Sequence, residues 1–253
     1  MPENETVEYQ RILPGDLLSN FVKCFWYLNN NTSEEKLFTI LPDGYFDILF
    51  FSANNQSFKF YLMGLGTKPT EFIFPINAAV YAVSFKLLAA EYILGSSISS
   101  LVNKTKHLSD NFWDIEPADF SDLDNFVNIV TRKMTERLAK AIDLRKQNLF
   151  NLLYASSGSI TVSQVSAAVY WNSRQINHYF KTWFGVSLKA YCNILRYRAS
   201  FDQLKVGQLF PEQDYFDQAH FIRDVRKFSG VTPKRLAENK NNRFIQLSTL
   251  PGE

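Results

Sequence analysis

The sequence predicts an α+β protein: an antiparallel β-rich N-terminal domain with helices, followed by an all-α C-terminal domain. Three observations carry that expectation. From Phe21 to about Lys86, short β-branched and aromatic runs alternate with turn residues, which is strand patterning. After Lys86 the apolar residues move to helical spacing. Charge also divides the chain. Before Arg145, 12 Lys+Arg stand against 18 Asp+Glu, a net of −6; from Arg145 onward, 15 stand against 7, a net of +8, consistent with the overall +2.

The expected strands are Phe25 to Leu28, Tyr45 to Phe51, Phe58 to Leu62, Glu71 to Phe74 and Ala79 to Phe85. Asn29-Asn30-Asn31, Pro42-Asp43-Gly44, Ser52 to Ser57 and Gly64-Leu65-Gly66 supply turns between them. Six or so short strands make a compact antiparallel sheet or small barrel. Residues 122 to about 143 place Leu123, Phe126, Val127, Val130, Met134, Leu138 and Ala141 on one helical face. That helix should pack on the N-terminal half or on a second copy. The chain therefore divides into residues 1–110, a connecting helical segment at 111–144, and a helical domain at 145–253.

Apolar residues at 46% and charged residues at 21% fit a soluble globular chain. No apolar run approaches the ~20 residues of a membrane helix, and no signal peptide is read at the N-terminus. A cytoplasmic protein without membrane contact is expected. Cys24 and Cys192 lie far apart in apolar-patterned segments, as buried reduced thiols do. Nothing around Cys24 supplies a base or metal to activate it as a methyl acceptor. The three histidines, His107, His178 and His220, lack ligand spacing. No metal, cofactor or enzymatic activity is expected.

One internal repeat stands out, at an offset of 45 residues. Ile176, Phe180, Gly185, Val186 and Ser187 recur as Phe221, Val225, Gly230, Val231 and Thr232. Each copy opens on a capping residue, Asn172 or Asp217, continues as an amphipathic helix and stops at its glycine. In the first, Ile176, Phe180 and Phe184 point inward, and Ser173, Arg174, Asn177, His178 and Lys181 outward. In the second, Phe221, Val225 and Phe228 point inward, and Gln218, Ala219, Ile222, Arg223 and Arg226 outward. Residues 161–169, the turn Tyr170-Trp171-Asn172 and the first helix make a helix-turn-helix in order. Ser187 can cap a long helix closed by Gly207, setting the spacing between the copies.

These residues resemble a known family. Residues from about Leu144 to Leu236 look like the DNA-binding domain of AraC/XylS-type bacterial transcription regulators. The strongest segment is Tyr215-Phe216-Asp217-Gln218-Ala219-His220-Phe221-Ile222-Arg223, followed by Lys227-Phe228-Ser229-Gly230-Val231-Thr232-Pro233. Residues from about Tyr9 to Asp110 resemble an uncharacterised domain often attached to such regulators, through Leu41-Pro42-Asp43-Gly44 and Ala82-Val83-Ser84-Phe85-Lys86. The chain departs from the family at three places. Tyr170 stands where glycine is common, and Val225 where phenylalanine is. Pro211 falls in the stretch that would support the second helix, so residues 211–214 form about one turn at most.

The resemblance implies sequence-specific binding of double-stranded DNA, with two reading helices in successive major grooves. Arg174, Asn177 and His178 in the first motif, and Gln218, Ala219 and Arg223 in the second, are expected at base edges. Lys181, Arg226 and Lys227 are expected at phosphates, and Ser173 shares the first outward face. The interrupted support predicts a second reading helix that is less firmly oriented. The N-terminal domain is expected to sense or dimerise; a small-molecule effector, RNA polymerase and a second copy are the further partners this reading admits. The alternative is a ligand-binding or protein-interaction module with a vestigial DNA-binding domain.

Overall fold

The computed structural model describes residues 7–53, 57–116, 120–210 and 215–248. Eight strands occupy the N-terminal half: β1 (Val7–Ile12), β2 (Val22–Asn30), β3 (Lys36–Ile40), β4 (Phe46–Ala53), β5 (Lys59–Met63), β6 (Thr70–Phe74), β7 (Ala78–Phe85) and β8 (Thr105–His107). Six form an open antiparallel sheet in the order β1-β2-β7-β4-β5-β8, and β3 pairs with β6 as a separate ribbon. An open sheet, rather than a closed barrel, is thus the outcome. The five expected strands all form, with ends shifted by a few residues; β1, β3 and β8 are additional. The middle of the expected turn from Ser52 to Ser57, residues 54–56, lies outside the described residues.

Alternation along each strand gives the sheet two apolar faces. Phe25, Phe46, Ile48, Phe50, Tyr81, Val83 and Phe85 point to one side, where α2 (Leu123–Arg137) packs through Phe126. Its ring lies 5.1 Å from that of Phe50 and 5.2 Å from that of Tyr81. Leu28, Val80 and Ala82 point to the other, under Phe38 and Phe74 of the ribbon. The apolar stripe of α2 is therefore spent on its own sheet and not on a second copy.

Asp122 caps α2 by accepting from Asn125 N at 2.8 Å. The helix stops at Arg137, short of the expected position 143: Leu138 turns extended, and Ala141 is exposed. Tertiary bonds outcompete further turns here. Ala139 N donates to the Tyr92 carbonyl of α1 (Leu88–Tyr92) at 2.9 Å, and Asp143 N donates to the Tyr92 hydroxyl at 3.0 Å.

The C-terminal half is helical: α3 (Leu144–Ala155), α4 (Val162–Val169), α5 (Ser173–Phe184), α6 (Leu188–Ala199), α7 (Phe201–Lys205), α8 (Gln218–Ser229), α9 (Pro233–Glu238) and α10 (Ile245–Ser248). Among the described residues no helix is long and apolar enough to cross a membrane. The long helix expected after Ser187 is interrupted at Ser200, giving α6 and α7, and Gly207 follows with φ +80°. Cores do not divide at the start of α3. One apolar core runs from the α2 face of the sheet through Leu149, Phe150, Val165, Phe180 and Phe184 to Leu195. A second holds Phe221, Val225 and Phe228 with Tyr197, Phe201, Leu236 and, from the N-terminal half, Leu41.

Candidate nucleic-acid interface

Local chemistry builds the first motif. Thr161 caps α4 and Asn172 caps α5, each in a reciprocal box with the glutamine three residues on, Gln164 or Gln175. Between them Tyr170 takes a left-handed conformation, φ +54°, with its side chain 89% exposed. Ser166 Oγ donates to the Trp171 carbonyl and closes the turn. On α5, Ile176, Phe180 and Phe184 are fully buried, each contributing about 1.5–3 kcal/mol through apolar burial. Gly185 ends the helix at φ +74°.

The second motif repeats this plan 45 residues later. Asp217 caps α8 by accepting from His220 N at 2.6 Å, and Gly230 ends it at φ +75°. Phe221, Val225 and Phe228 are buried, with Phe228 stacked 5.0 Å from Tyr197. Residues 211–214, where the sequence predicts a truncated support, lie outside the described residues. In the described part α8 has a buried face and a cap at each end, but its N-cap lacks the reciprocal box of α5. The expected looseness of the second helix turns on residues 211–214, outside the described residues.

Outward faces are cationic. Ser173, Arg174, His178 and Lys181 are exposed on α5, as are Gln218, Ala219, Arg223, Arg226 and Lys227 on α8. Among the described residues, Arg174, Lys181, Arg223, Arg226 and Lys227 make no ion pair with a carboxylate. Unneutralised cations on two matched helix faces suit a polyanion. Asn177 behaves differently from its neighbours. It is half-buried, its Oδ1 accepts from Leu188 N at 3.2 Å, and its Nδ2 donates to the Ser173 carbonyl at 3.0 Å. Its amide fastens α5 to the start of α6.

The same offset also marks two lysines that the expected site residues omit. Ser187 and Thr232 cap α6 and α9, and Lys189 and Lys234 follow them, both exposed and 45 residues apart. They were legible in the repeat, which continues past its glycine. Exposed aromatics also precede both caps, Tyr170 in one motif and Phe216 in the other.

The N-terminal half buttresses both motifs. Glu91 accepts from the Tyr179 hydroxyl of α5 at 2.9 Å and pairs with Lys146 of α3. Burial, and then the Glu91 charge, push the Tyr179 phenol up from its ordinary value. The hydroxyls of Tyr191 and Tyr154 stand 3.0 Å apart; Tyr191 donates to the Gly44 carbonyl at 3.0 Å, and Tyr154 accepts from Leu87 N at 3.2 Å. Cys24 and Cys192 are buried, and burial pushes both thiols up to about 11, away from reactivity. Among the described residues no cluster of three His, Cys, Asp or Glu side chains is placed to hold a metal ion.

Comparison with known proteins adds three likenesses. Residues 10–107, from the middle of β1 to the end of β8, match the family described as a domain of unknown function, DUF6597. An uncharacterized HTH-type transcriptional regulator, YtdP of Bacillus subtilis (strain 168), is 21% identical over 162 residues, 60% of this chain. The chain spans about a fifth of that relative's length, the match covering 21% of it. The structure of ToxT from Vibrio cholerae is 12% identical and covers 98% of this chain and 99% of that one, with a TM-score of 0.46. A fatty-acid-bound ToxT from strain SCE256 is 13% identical, covering 81% and 96%, with a TM-score of 0.42. The N-terminal sheet is thus matched by DUF6597, and the chain is distantly similar to an HTH-type transcriptional regulator.

Proposed function

We propose that this chain is a sequence-specific DNA-binding transcription regulator and not an enzyme, with α5 and α8 reading successive major grooves on one face of the duplex. The observation that carries this reading is the repeat itself: two 12-residue helices, 45 positions apart, each polar-capped and glycine-terminated, each with outer cations that pair with no carboxylate among the described residues. Arg174 and His178, with Gln218, Ala219 and Arg223, are the base-edge contacts; Ser173, Lys181, Arg226, Lys227, Lys189 and Lys234 serve phosphates. The likeness to the HTH-type transcriptional regulator of Bacillus subtilis supports the same assignment. The N-terminal sheet acts as the control domain, answering to an effector or a protein partner, RNA polymerase among them.

Selection of bound sequences from random duplexes with the full chain tests this. One enriched motif spanning two half-contacts about 10 base pairs apart is expected, with affinity falling steeply as salt rises through counterion release. A chain that enriches no sequence, and whose weak binding ignores salt, is not this regulator.

A further inference from the structure

Two loops of the N-terminal half each meet the C-terminal end of one reading helix. The loop after α1 reaches α5: Ile98 N donates to the Trp183 carbonyl at 2.9 Å, and Ser97 Oγ donates to the Thr182 carbonyl at 2.7 Å. The approach is so close that a Cβ on Gly185 would stand 2.5 Å from the Ser99 carbonyl oxygen. The loop between β5 and β6 reaches α8, where a Cβ on Gly230 would stand 3.7 Å from Pro69 Cγ. Asn103 braces one loop to the other. Its Oδ1 accepts from Thr67 N at 2.7 Å, its Nδ2 donates to Thr67 Oγ1 at 2.8 Å, and its own N–H donates to the Leu65 carbonyl at 3.0 Å.

The segment after α9 makes a second tie. Thr39 N, on the outer edge of β3, donates to the Arg243 carbonyl at 2.6 Å, and Thr39 bridges Phe244 in parallel. The Gln246 amide spans Leu41, accepting from its N–H and donating to its carbonyl, both at 2.9 Å. Arg243 donates to Thr39 Oγ1 at 3.0 Å and pairs with Glu71. Phe244 and Leu247 enter the core that holds α8, and Leu41 joins them there. Within the C-terminal half, the direct connection between motifs is α6, which is interrupted at Ser200.

We propose that the N-terminal domain is the ruler of the DNA-binding pair: it fixes the spacing and relative rotation of α5 and α8, with Asn103 and Gln246 as positioning residues. This rests on the DNA-binding reading above. Successive major grooves on one face lie about 34 Å apart. Two rigidly held helices bind as one unit only where the duplex matches that distance. A loosened pair gains tolerance to spacing and loses affinity for the matched site.

The test uses the full chain and a selected duplex, with one or two base pairs inserted or removed between the half-contacts. Asn103→Gly keeps the left-handed backbone at φ +56° while deleting both amide bonds. Glu71→Ala/Gln246→Ala removes the ion pair and the Leu41 bonds of the second tie and leaves the charge of Arg243 in place. Neither variant removes a cation, so attraction to phosphate is not weakened. Thr67→Ala, which deletes only the Asn103 acceptor, replaces Asn103→Gly if that variant unfolds. The unaltered chain should lose about tenfold in affinity per shifted base pair, and the variants about threefold, with the matched site bound about threefold more weakly. Variants whose spacing profile stays as sharp as that of the unaltered chain overturn the proposal. So do variants that weaken equally at every spacing and melt earlier, since that is a structural effect alone. A full chain that binds no duplex at any spacing overturns the DNA reading and this inference with it.

Discussion

Ile98 donates its backbone N–H to the carbonyl of Trp183 over 2.9 Å, so a loop of the N-terminal half closes the last turn of α5. Helix ends leave carbonyls without intrahelical partners, and α5 finds its partners in another part of the fold. The core is continuous at the same place, with Tyr154, Tyr191 and Leu195 facing the N-terminal residues Tyr45, Leu87 and Gly44.

A condition on the isolated C-terminal region follows. Positive charge concentrates after Leu144, where the proposal places the DNA contacts, yet residues 145–253 alone would expose the faces that pack on the sheet. That fragment should melt well below the full chain and bind a selected duplex about tenfold or more weakly, because helices that must be ordered on binding lose affinity. Thermal melts followed by circular dichroism, beside a mobility-shift titration, check both. A fragment as stable and as tight as the full chain would show that the shared core contributes nothing to the reading helices.

Tyr170 stores strain at an exposed turn. A non-glycine residue pays roughly 1–2 kcal/mol in the left-handed region, and its 89% exposed ring returns little packing. Glycine relieves the strain but costs about 0.5–1 kcal/mol in unfolded-chain entropy. Tyr170→Gly should therefore stabilise by up to about 1.5 kcal/mol, read as a higher urea midpoint at constant slope. A lower midpoint would mean that the ring packs or bonds in a way its exposure hides.

The parts of the site legible in sequence were those made by local chemistry. Asn172, Asp217, Gly185 and Gly230 bound α5 and α8 because capping and left-handed termini act within a few residues. Asn177 was legible only in part. Its position on the outward face was readable, but its bond to Leu188 N depends on how α6 folds back. β8 is three exposed residues whose strand identity comes only from pairing with β5. The contacts Ile98–Trp183 and Glu91–Tyr179 join residues more than 80 positions apart, and no periodicity carries such a pairing.

Asp47 sits on the sheet face opposite α2, 7% exposed, accepting from Ser84 Oγ, which itself accepts from Trp26 Nε1 at 3.0 Å. Burial, and then the charge of Asp43, push its carboxyl from 3.8 up to about 7. The folded protein thus prefers the protonated acid more than the unfolded chain does. That contribution to stability is complete below about pH 4 and is lost as pH rises through about 7. Asp47→Asn keeps an acceptor for Ser84 without the charge. It should flatten the decline between pH 4 and 8 and raise the melting temperature at pH 8, by about 2–4 °C for each kcal/mol recovered. Melting curves across that range for both proteins measure it, and an unchanged slope would place the titration elsewhere.

Base discrimination should divide among Arg174, Arg223 and Asn177 by what each side chain is free to do. Arg174 and Arg223 are exposed, without carboxylate partners among the described residues, and each sits on a helix capped at both ends and anchored by three buried apolar residues. Rigid presentation permits bidentate contacts, worth about 1–3 kcal/mol against a wrong base. Arg174→Ala and Arg223→Ala should each relax preference at one or two base pairs, in different halves of the site. If instead the interruption at Pro211 leaves α8 poorly supported, Arg223→Ala weakens all duplexes alike. Asn177 has both ends of its amide engaged within the protein, so Asn177→Ala should lower thermal stability by about 1 kcal/mol while leaving the order of preferred bases intact. Titrating the three variants against single-base changes across a selected site separates these outcomes. Uniform weakening by Arg223→Ala would return that residue to the phosphate contacts, and a changed base preference in Asn177→Ala would mean that its amide turns outward when DNA binds.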